Sequence, residues 1–91
     1  MPDDSHLPIF EQLAAALRRR LEIIRDRAAY ARDADAHLRA LQAASEQIVA
    51  LQAQLPARAL DPQFAHYLQR CSYDKALVWL EEYLAAAAPR I

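Results

Sequence analysis

The chain of 91 residues contains no glycine, and no proline interrupts it between Pro8 and Pro56. The 47 residues between them, 9–55, are dominated by Ala, Leu, Arg, Gln and Glu, which are among the strongest helix formers. One helix of that length would extend about 70 Å, whereas a compact domain of this size has a radius of gyration of roughly 12 Å. A continuous helix therefore predicts that a second chain covers what this chain cannot.

Apolar residues in this segment recur at helical spacing. The first of them are Phe10, Leu13, Leu17, Leu21 and Ile24. Steps of three and four predict one buried stripe along a helix, and the stripe resumes over residues 34–55 after a change of phase near Asp33. We expect one long helix over 8–55, with a hairpin broken near 32–35 as the alternative.

The last third of the chain carries most of the aromatic residues and clear helix boundaries. Pro56 and Pro62 delimit a connector over 56–61, and Asp61 before Pro62 is typical of a helix start. We predict a second helix over 62–71 and a third over 72–88, ended by Pro89. The fold class is therefore all-α: an N-terminal tail (1–7), a long amphipathic helix, and two shorter helices folded back as a hairpin against 38–55. Oligomerisation would complete the helical bundle of this single domain.

The segment from Tyr67 to Pro89 resembles the second half of a tetratricopeptide repeat. The resemblance is carried by Tyr73-Asp74-Lys75-Ala76, followed by Leu80, Tyr83 and the late proline. It implies a helical hairpin in this third of the chain and, for function, protein binding. A single repeat has no stacked neighbours with which to build a solenoid.

Composition and charge exclude several classes of protein. A formal net charge of −1 does not favour general attraction to nucleic acid or anionic membranes. The N-terminus does not resemble a signal peptide, and no apolar run is long enough to span a bilayer. His6, His37 and His66 lack metal-ligand spacing relative to one another and to Cys71. We therefore expect a cytoplasmic protein without metal, cofactor or enzymatic activity. The prevalence of alanine, and of arginine over lysine, suits a bacterial protein.

Arginine is the most suggestive polar feature of the predicted helix. Arg18, Arg25, Arg32 and Arg39 are spaced seven apart and form a stripe beside the apolar one. Carboxylates interleave with them, which is typical of a solvated helix face with local ion pairs. The alternative is a basic face over residues 18–39 that follows a nucleic-acid backbone.

The predicted function is a non-enzymatic protein–protein interaction module, such as a small adaptor, assembly chaperone or regulator. We expect a homo-oligomer, with an antiparallel dimer favoured because a parallel one would oppose arginine to arginine. The predicted partner-binding residues are Phe10, Leu13, Leu17, Leu21, Ile24, Arg18, Arg20, Arg25 and Arg27. The alternatives are the nucleic-acid binder and a monomeric four-helix bundle with a ligand in its core.

Overall fold

The computed structural model describes residues 6–56 and 59–87, and this part of the chain contains five α-helices and no strand. They are α1 (Leu7–Arg25), α2 (Arg27–Arg32), α3 (Ala34–Ala53), α4 (Pro62–Gln69) and α5 (Tyr73–Ala87). The predicted all-α class is confirmed. Most of the predicted tail (1–7), part of the connector, position 88 and the helix stop at Pro89 lie outside the described residues.

The prediction of one continuous helix over 8–55 is wrong, because the backbone leaves helical geometry at Asp26 and again at Asp33. Asp33 is extended, with φ −158° and ψ 94°, and Asp26 has ψ 82°. Each carboxylate accepts a hydrogen bond from a backbone N–H three residues later, at 3.0 Å from Ala29 and 3.1 Å from Ala36. The alternative, a hairpin broken near 32–35, matches the second break, whereas the sequence analysis did not predict the first.

Burial explains why the chain bends although it consists of good helix formers. The bend lets α3 run back along α1, so that both stripes enter one core. Each large apolar side chain that becomes buried contributes about 1.5–3 kcal/mol, and an Asp cap contributes about 1 kcal/mol. Each lost backbone hydrogen bond costs only about 1 kcal/mol. Several buried side chains therefore outweigh the interruption of the helix.

The helix α4 starts and ends where local chemistry requires it. The carboxylate of Asp61 accepts from the N–H of Gln63 at 2.9 Å, and Pro62 occupies the first turn. At the other end Cys71 has φ 56°, and the N–H of Ser72 donates to the carbonyl of Tyr67 at 2.8 Å. This left-handed turn ends the helix at Gln69 instead of the predicted 71.

The helix α1 lies between α3 on one side and α5 on the other, and α4 packs on α5. Tyr73, at the start of α5, lies against Arg20, whereas Tyr83 near its end contacts Phe10. α5 is therefore antiparallel to α1. The expectation that the two C-terminal helices cover residues 38–55 is not confirmed, because α5 packs mainly on the apolar surface of α1, although Ile48, Leu51 and Leu55 share the core cluster with side chains of α4 and α5. The extents of 49 × 30 × 19 Å describe a thin slab in which α3 forms one edge.

Candidate interaction surfaces

Three predicted partner-binding residues of α1 lie inside the chain's own core. Phe10 is 3% exposed, Leu13 is fully buried and Leu17 is 2% exposed. They share one cluster with side chains of α3, α4 and α5, among them Ile48, Leu51, Phe64, Leu77 and Leu80. The expected need for a second chain to cover this stripe does not hold at these three positions, which the chain's own helices cover. That expectation depended on a continuous helix longer than a compact domain of this size. The breaks at Asp26 and Asp33 shorten the helix and remove this reason for a second chain.

Leu21 and Ile24, further along α1, remain nearer the surface. Leu21 is partly buried against the core, whereas Ile24 is 43% exposed. Together with the turn between α4 and α5 they line a cleft of about 430 Å³. Its walls are Arg20, Leu21, Ile24, Cys71, Ser72, Tyr73, Asp74 and Lys75. Of the nine predicted partner-binding residues, the structure thus brings three together at one cleft.

Arg20 is engaged within the chain. Its guanidinium carbon lies 4.8 Å from the centre of the Tyr73 ring, a cation–π contact between α1 and α5. Its Nε is buried and has no hydrogen-bond partner among the described residues. Burial, followed by a side-chain hydrogen bond with Cys71, raises the pKa of Tyr73 above its ordinary value of 10.0. Through its contact with the Tyr73 ring, Arg20 helps to hold α5 on α1.

The other predicted arginines are exposed and are not gathered into one patch. Arg18 Nη2 lies 3.6 Å from Glu81 Oε2, and both side chains are about half exposed, so this ion pair contributes little to stability. Arg25 lies in the last turn of α1, where a cation interacts favourably with the helix dipole. Arg27 begins α2, beyond the bend, and is exposed.

The bend itself encloses a cleft of about 540 Å³. It is lined by Arg19, Glu22, Ile23, Asp26, Ala29, Arg32, Asp33, Ala36, His37 and Ala40. Because a carbonyl can only accept, His37 Nε2 donates to the Ile23 carbonyl, at 2.6 Å, and this bond holds α3 to the end of α1. Three carboxylates face two arginines in this lining, so the cleft has no excess of positive charge for a phosphate.

The second half of the molecule contributes a groove between α4 and α5. Its lining is Gln63, Tyr67, Lys75, Val78, Trp79 and Glu82, and its volume is about 430 Å³. Gln63 Nε2 donates to the Tyr67 hydroxyl at 2.7 Å across its end. Val78 is 57% exposed there, but it is a single aliphatic residue between charged neighbours.

One face of α3 is left uncovered, and it includes Leu38, which the predicted apolar stripe placed in the core. Leu38 is 52% exposed and Val49 is 57% exposed. With Gln42 and Ser45 they follow helical spacing along one side of the helix, and none of the four is charged. We call these four residues the open face of α3. The uncharged run was visible in the sequence, but the assumed packing of α4 and α5 concealed its exposure.

A shallow depression of about 350 Å³ lies at one end of the open face, lined by Ser45, Glu46, Val49 and Ala50. Arg39 and Glu46 flank the face on one side, 100° and 80° around the helix from Leu38 at about 100° per residue. Neither makes an ion pair with another described residue. Asp35, in the first turn of α3, lies on the same flank, about 60° around the helix from Leu38. This flank therefore offers one arginine and two carboxylates, none of them in an ion pair with another described residue.

The side chains that could bind a metal ion are not clustered in the described part of the chain. Within the described ranges, no group of three or more His, Cys, Asp and Glu side chains is placed to hold a metal ion. In the same ranges no helix combines the length and the apolar character that crossing a bilayer requires. Comparison with known proteins finds no matching family model, no similar curated protein and no similar solved structure. The surfaces of the chain itself are thus the basis for a functional hypothesis.

Proposed function

We propose that this chain is a non-enzymatic protein-interaction module, and that its contact surface is the open face of α3. The observation that carries the proposal is the exposure of Leu38 and Val49, each more than half exposed, on a helix whose main packing neighbours are α1 and the short α2. The open face spans residues 38–49, about 17 Å along the helix. An uncharged face of that length is typical of a surface that binds another helix.

The proposal moves the contact surface from α1 to α3. The core position of Phe10, Leu13 and Leu17 leaves them little surface to offer, so α1 supports the interface from behind. Ile24, next to Arg25, forms a second and smaller exposed site. Association on α3 would complete the bundle, because it gives the edge helix a neighbour on its uncovered side.

The arrangement of charges gives less support to nucleic-acid binding. Seven arginines and four carboxylates occur over residues 18–39, and Asp26 and Asp33 lie among the arginines as helix caps. A backbone-tracking surface needs a continuous excess of positive charge. Binding of a fluorescent 20-mer that persists at 150 mM salt would contradict this interpretation.

Photo-crosslinking tests the proposed surface directly. A photoreactive phenylalanine analogue is placed at position 38, at position 49 or at position 78, and the protein is irradiated in the cells that produce it. Positions 49 and 78 carry valines of equal exposure, 57%, on different faces, so position 78 is the matched control. Crosslinked protein adducts from 38 and 49 but not from 78 support the proposal. Equal yields from all three positions, or adducts from 78 alone, overturn it.

A further inference from the structure

The open face of α3 has a spacing that is the same when read in either direction. Leu38, Gln42, Ser45 and Val49 are separated by four, three and four residues. We propose that its partner is a second copy of this chain, packed antiparallel about a two-fold axis between positions 43 and 44. This inference rests on the proposed function, since it names the occupant of the same surface.

The two-fold axis sets unlike residues of the face opposite one another. Leu38 of one copy lies opposite Val49 of the other, and Gln42 lies opposite Ser45. The aliphatic pairs then occur at both ends of the contact and the hydrogen-bonding pairs at its centre. A polar pair at the centre of a helix interface favours one register over its neighbours, because a shifted helix leaves the polar groups unpaired.

Charge complementarity supports the same register. In an antiparallel helix pair related by a two-fold axis, a flank faces the same flank of its partner. Arg39 of one copy is then opposite position 48 of the other, two residues or about 3 Å along the axis from Glu46. Each copy supplies both charges, so two Arg39–Glu46 pairs form. A parallel pair in register would instead put the Arg39–Glu46 flanks of the two copies on opposite sides of the contact, where no such pairs form.

The depression beside Val49 accommodates a side chain from the second copy. Its lining, which includes Ser45 and Glu46, lies opposite the turn of α3 that carries Leu38 in the other copy. Leu38 protrudes from its own helix and is 52% exposed. A protruding leucine and a depression thus occur on the same face, and the two-fold axis brings them together twice.

The size of the face limits the affinity. A strip about 17 Å long and one helix wide is smaller than the roughly 800 Å² per partner of a standard interface. We therefore expect a dissociation constant of order 10–100 µM. The dimer should be measured by sedimentation equilibrium up to about ten times that concentration.

Disulfide crosslinking tests the register. In a Cys71→Ser background, which removes the exposed native thiol, one preparation carries Leu38→Cys and another Val49→Cys. Under mild oxidation the mixture should give a crosslinked dimer, whereas each preparation alone should not, since 38 and 38 lie about 16 Å apart. Efficient crosslinking of the Leu38→Cys preparation alone overturns the antiparallel register.

Charge reversal tests the pairing of the flanks. Arg39→Glu and Glu46→Arg should each weaken self-association about tenfold, because two attractive pairs become repulsive. The double variant should return to within about threefold of the original affinity. Arg70→Glu, beyond the end of α4, is the control and should have no effect. A double variant no better than either single variant overturns the proposed pairing.

The sedimentation experiment separates this inference from the proposed function. If the protein remains a monomer at all concentrations, the proposal that a second copy binds the open face of α3 is wrong. Photo-crosslinked adducts of a different mass from positions 38 and 49 would then still support α3 as the contact surface. If those positions also give no adducts, both proposals are wrong.

Discussion

The helices α1 and α3 have nearly the same length, 19 and 20 residues, and each carries an apolar stripe. Nevertheless α1 has six buried residues and α3 has three. The difference lies in their neighbours, because α1 is covered by α3 and by α5, whereas α3 has α1 and the short α2. An apolar stripe at helical spacing therefore predicts that one face of a helix is buried. It does not predict how many neighbouring helices cover it.

The aromatic residues strengthen the side of α1 that faces α5. Phe64 stacks on Trp79 with ring centres 4.6 Å apart, and Trp79 stacks on Tyr83 at 5.3 Å. Phe10 of α1 lies 5.3 Å from Tyr83 in a tilted arrangement. α3 contains no aromatic residue other than His37. The chain thus has a well-packed side and an alanine-rich edge, and we propose that the packed side supplies stability while the edge supplies the binding surface.

The largest expected effect separates the interior of α1 from the open face of α3. Leu17→Ala should lower the free energy of unfolding by about 3 kcal/mol, because it leaves a cavity in the core. Val49→Ala should change it by no more than about 0.5 kcal/mol, because the side chain is already largely in water. Urea denaturation followed by circular dichroism, at protein concentrations well below the dissociation constant expected for the proposed dimer, measures both.

Leu38→Ala is the second surface control for this comparison and should match Val49→Ala. A loss of about 2 kcal/mol or more for either surface variant in dilute solution would mean that the open face of α3 is covered within a single chain. The proposed contact surface would then be wrong, whatever the behaviour of Leu17→Ala.

The next largest effect concerns the caps that allow α3 to fold back beside α1. Asp26→Ala and Asp33→Ala should each cost about 1 kcal/mol, through loss of the hydrogen bond to the N–H of Ala29 or Ala36. Asp35→Ala is the control, because Asp35 lies in the first turn of α3 without capping it, and should cost about 0.3 kcal/mol. Thermal denaturation measures all three, and equal effects at 33 and 35 would contradict the capping role.

The sequence predicted the features of the fold that depend on local chemistry. The absence of glycine and the long proline-free run of helix formers predicted the all-α class, and Asp61 with Pro62 predicted the start of α4 correctly. The break near Asp33 was identified as the alternative to a continuous helix. The break at Asp26 was not predicted, because the apolar spacing continues past this position without a change of phase. An aspartate there is as compatible with a solvated helix face as with a helix cap.

The candidate surface could not be predicted, because it depends on which helices pack together. Leu17 and Leu38 occupy equivalent positions in two similar stripes, yet one is 2% exposed and the other 52%. Periodicity assigns a residue to a face and says nothing of the neighbour of that face. The choice between α1 and α3 as the support for α5 was made by tertiary packing, which also left Leu38 and Val49 uncovered.

A smaller effect concerns the turn that directs α5 back along α1. Cys71 adopts φ 56°, a conformation that costs a non-glycine residue roughly 1–2 kcal/mol, whereas glycine adopts it freely but loses roughly 0.5–1 kcal/mol more entropy on folding. Cys71→Gly should therefore stabilise the protein by about 0.5 kcal/mol. Cys71→Ala keeps the unfavourable φ and should give no gain. Equal stabilisation by both substitutions, measured by thermal denaturation, would locate the effect in the thiol instead.

The smallest effect concerns the contact between α1 and α5 at Tyr73, and it appears only at high pH. Burial raises the pKa of Tyr73 above its ordinary 10.0, as does its hydrogen bond with Cys71, while Arg20 acts in the opposite direction. The folded state thus holds this proton more tightly than the unfolded state. Its contribution to stability is present below pH 10 and is lost as the pH rises through the folded-state pKa.

Tyr73→Phe isolates this contribution, because the variant lacks the titrating hydroxyl while it keeps the ring beneath Arg20. The free energy of unfolding of the original protein should fall more steeply above pH 10 than that of Tyr73→Phe, and the two slopes should agree between pH 7 and 9. Val49→Ala, on the open edge, should follow the original protein at every pH. A steeper fall in Tyr73→Phe would mean that ionised Tyr73 is stabilised by Arg20 more than burial disfavours it, and that α5 is held to α1 by charge and not by packing.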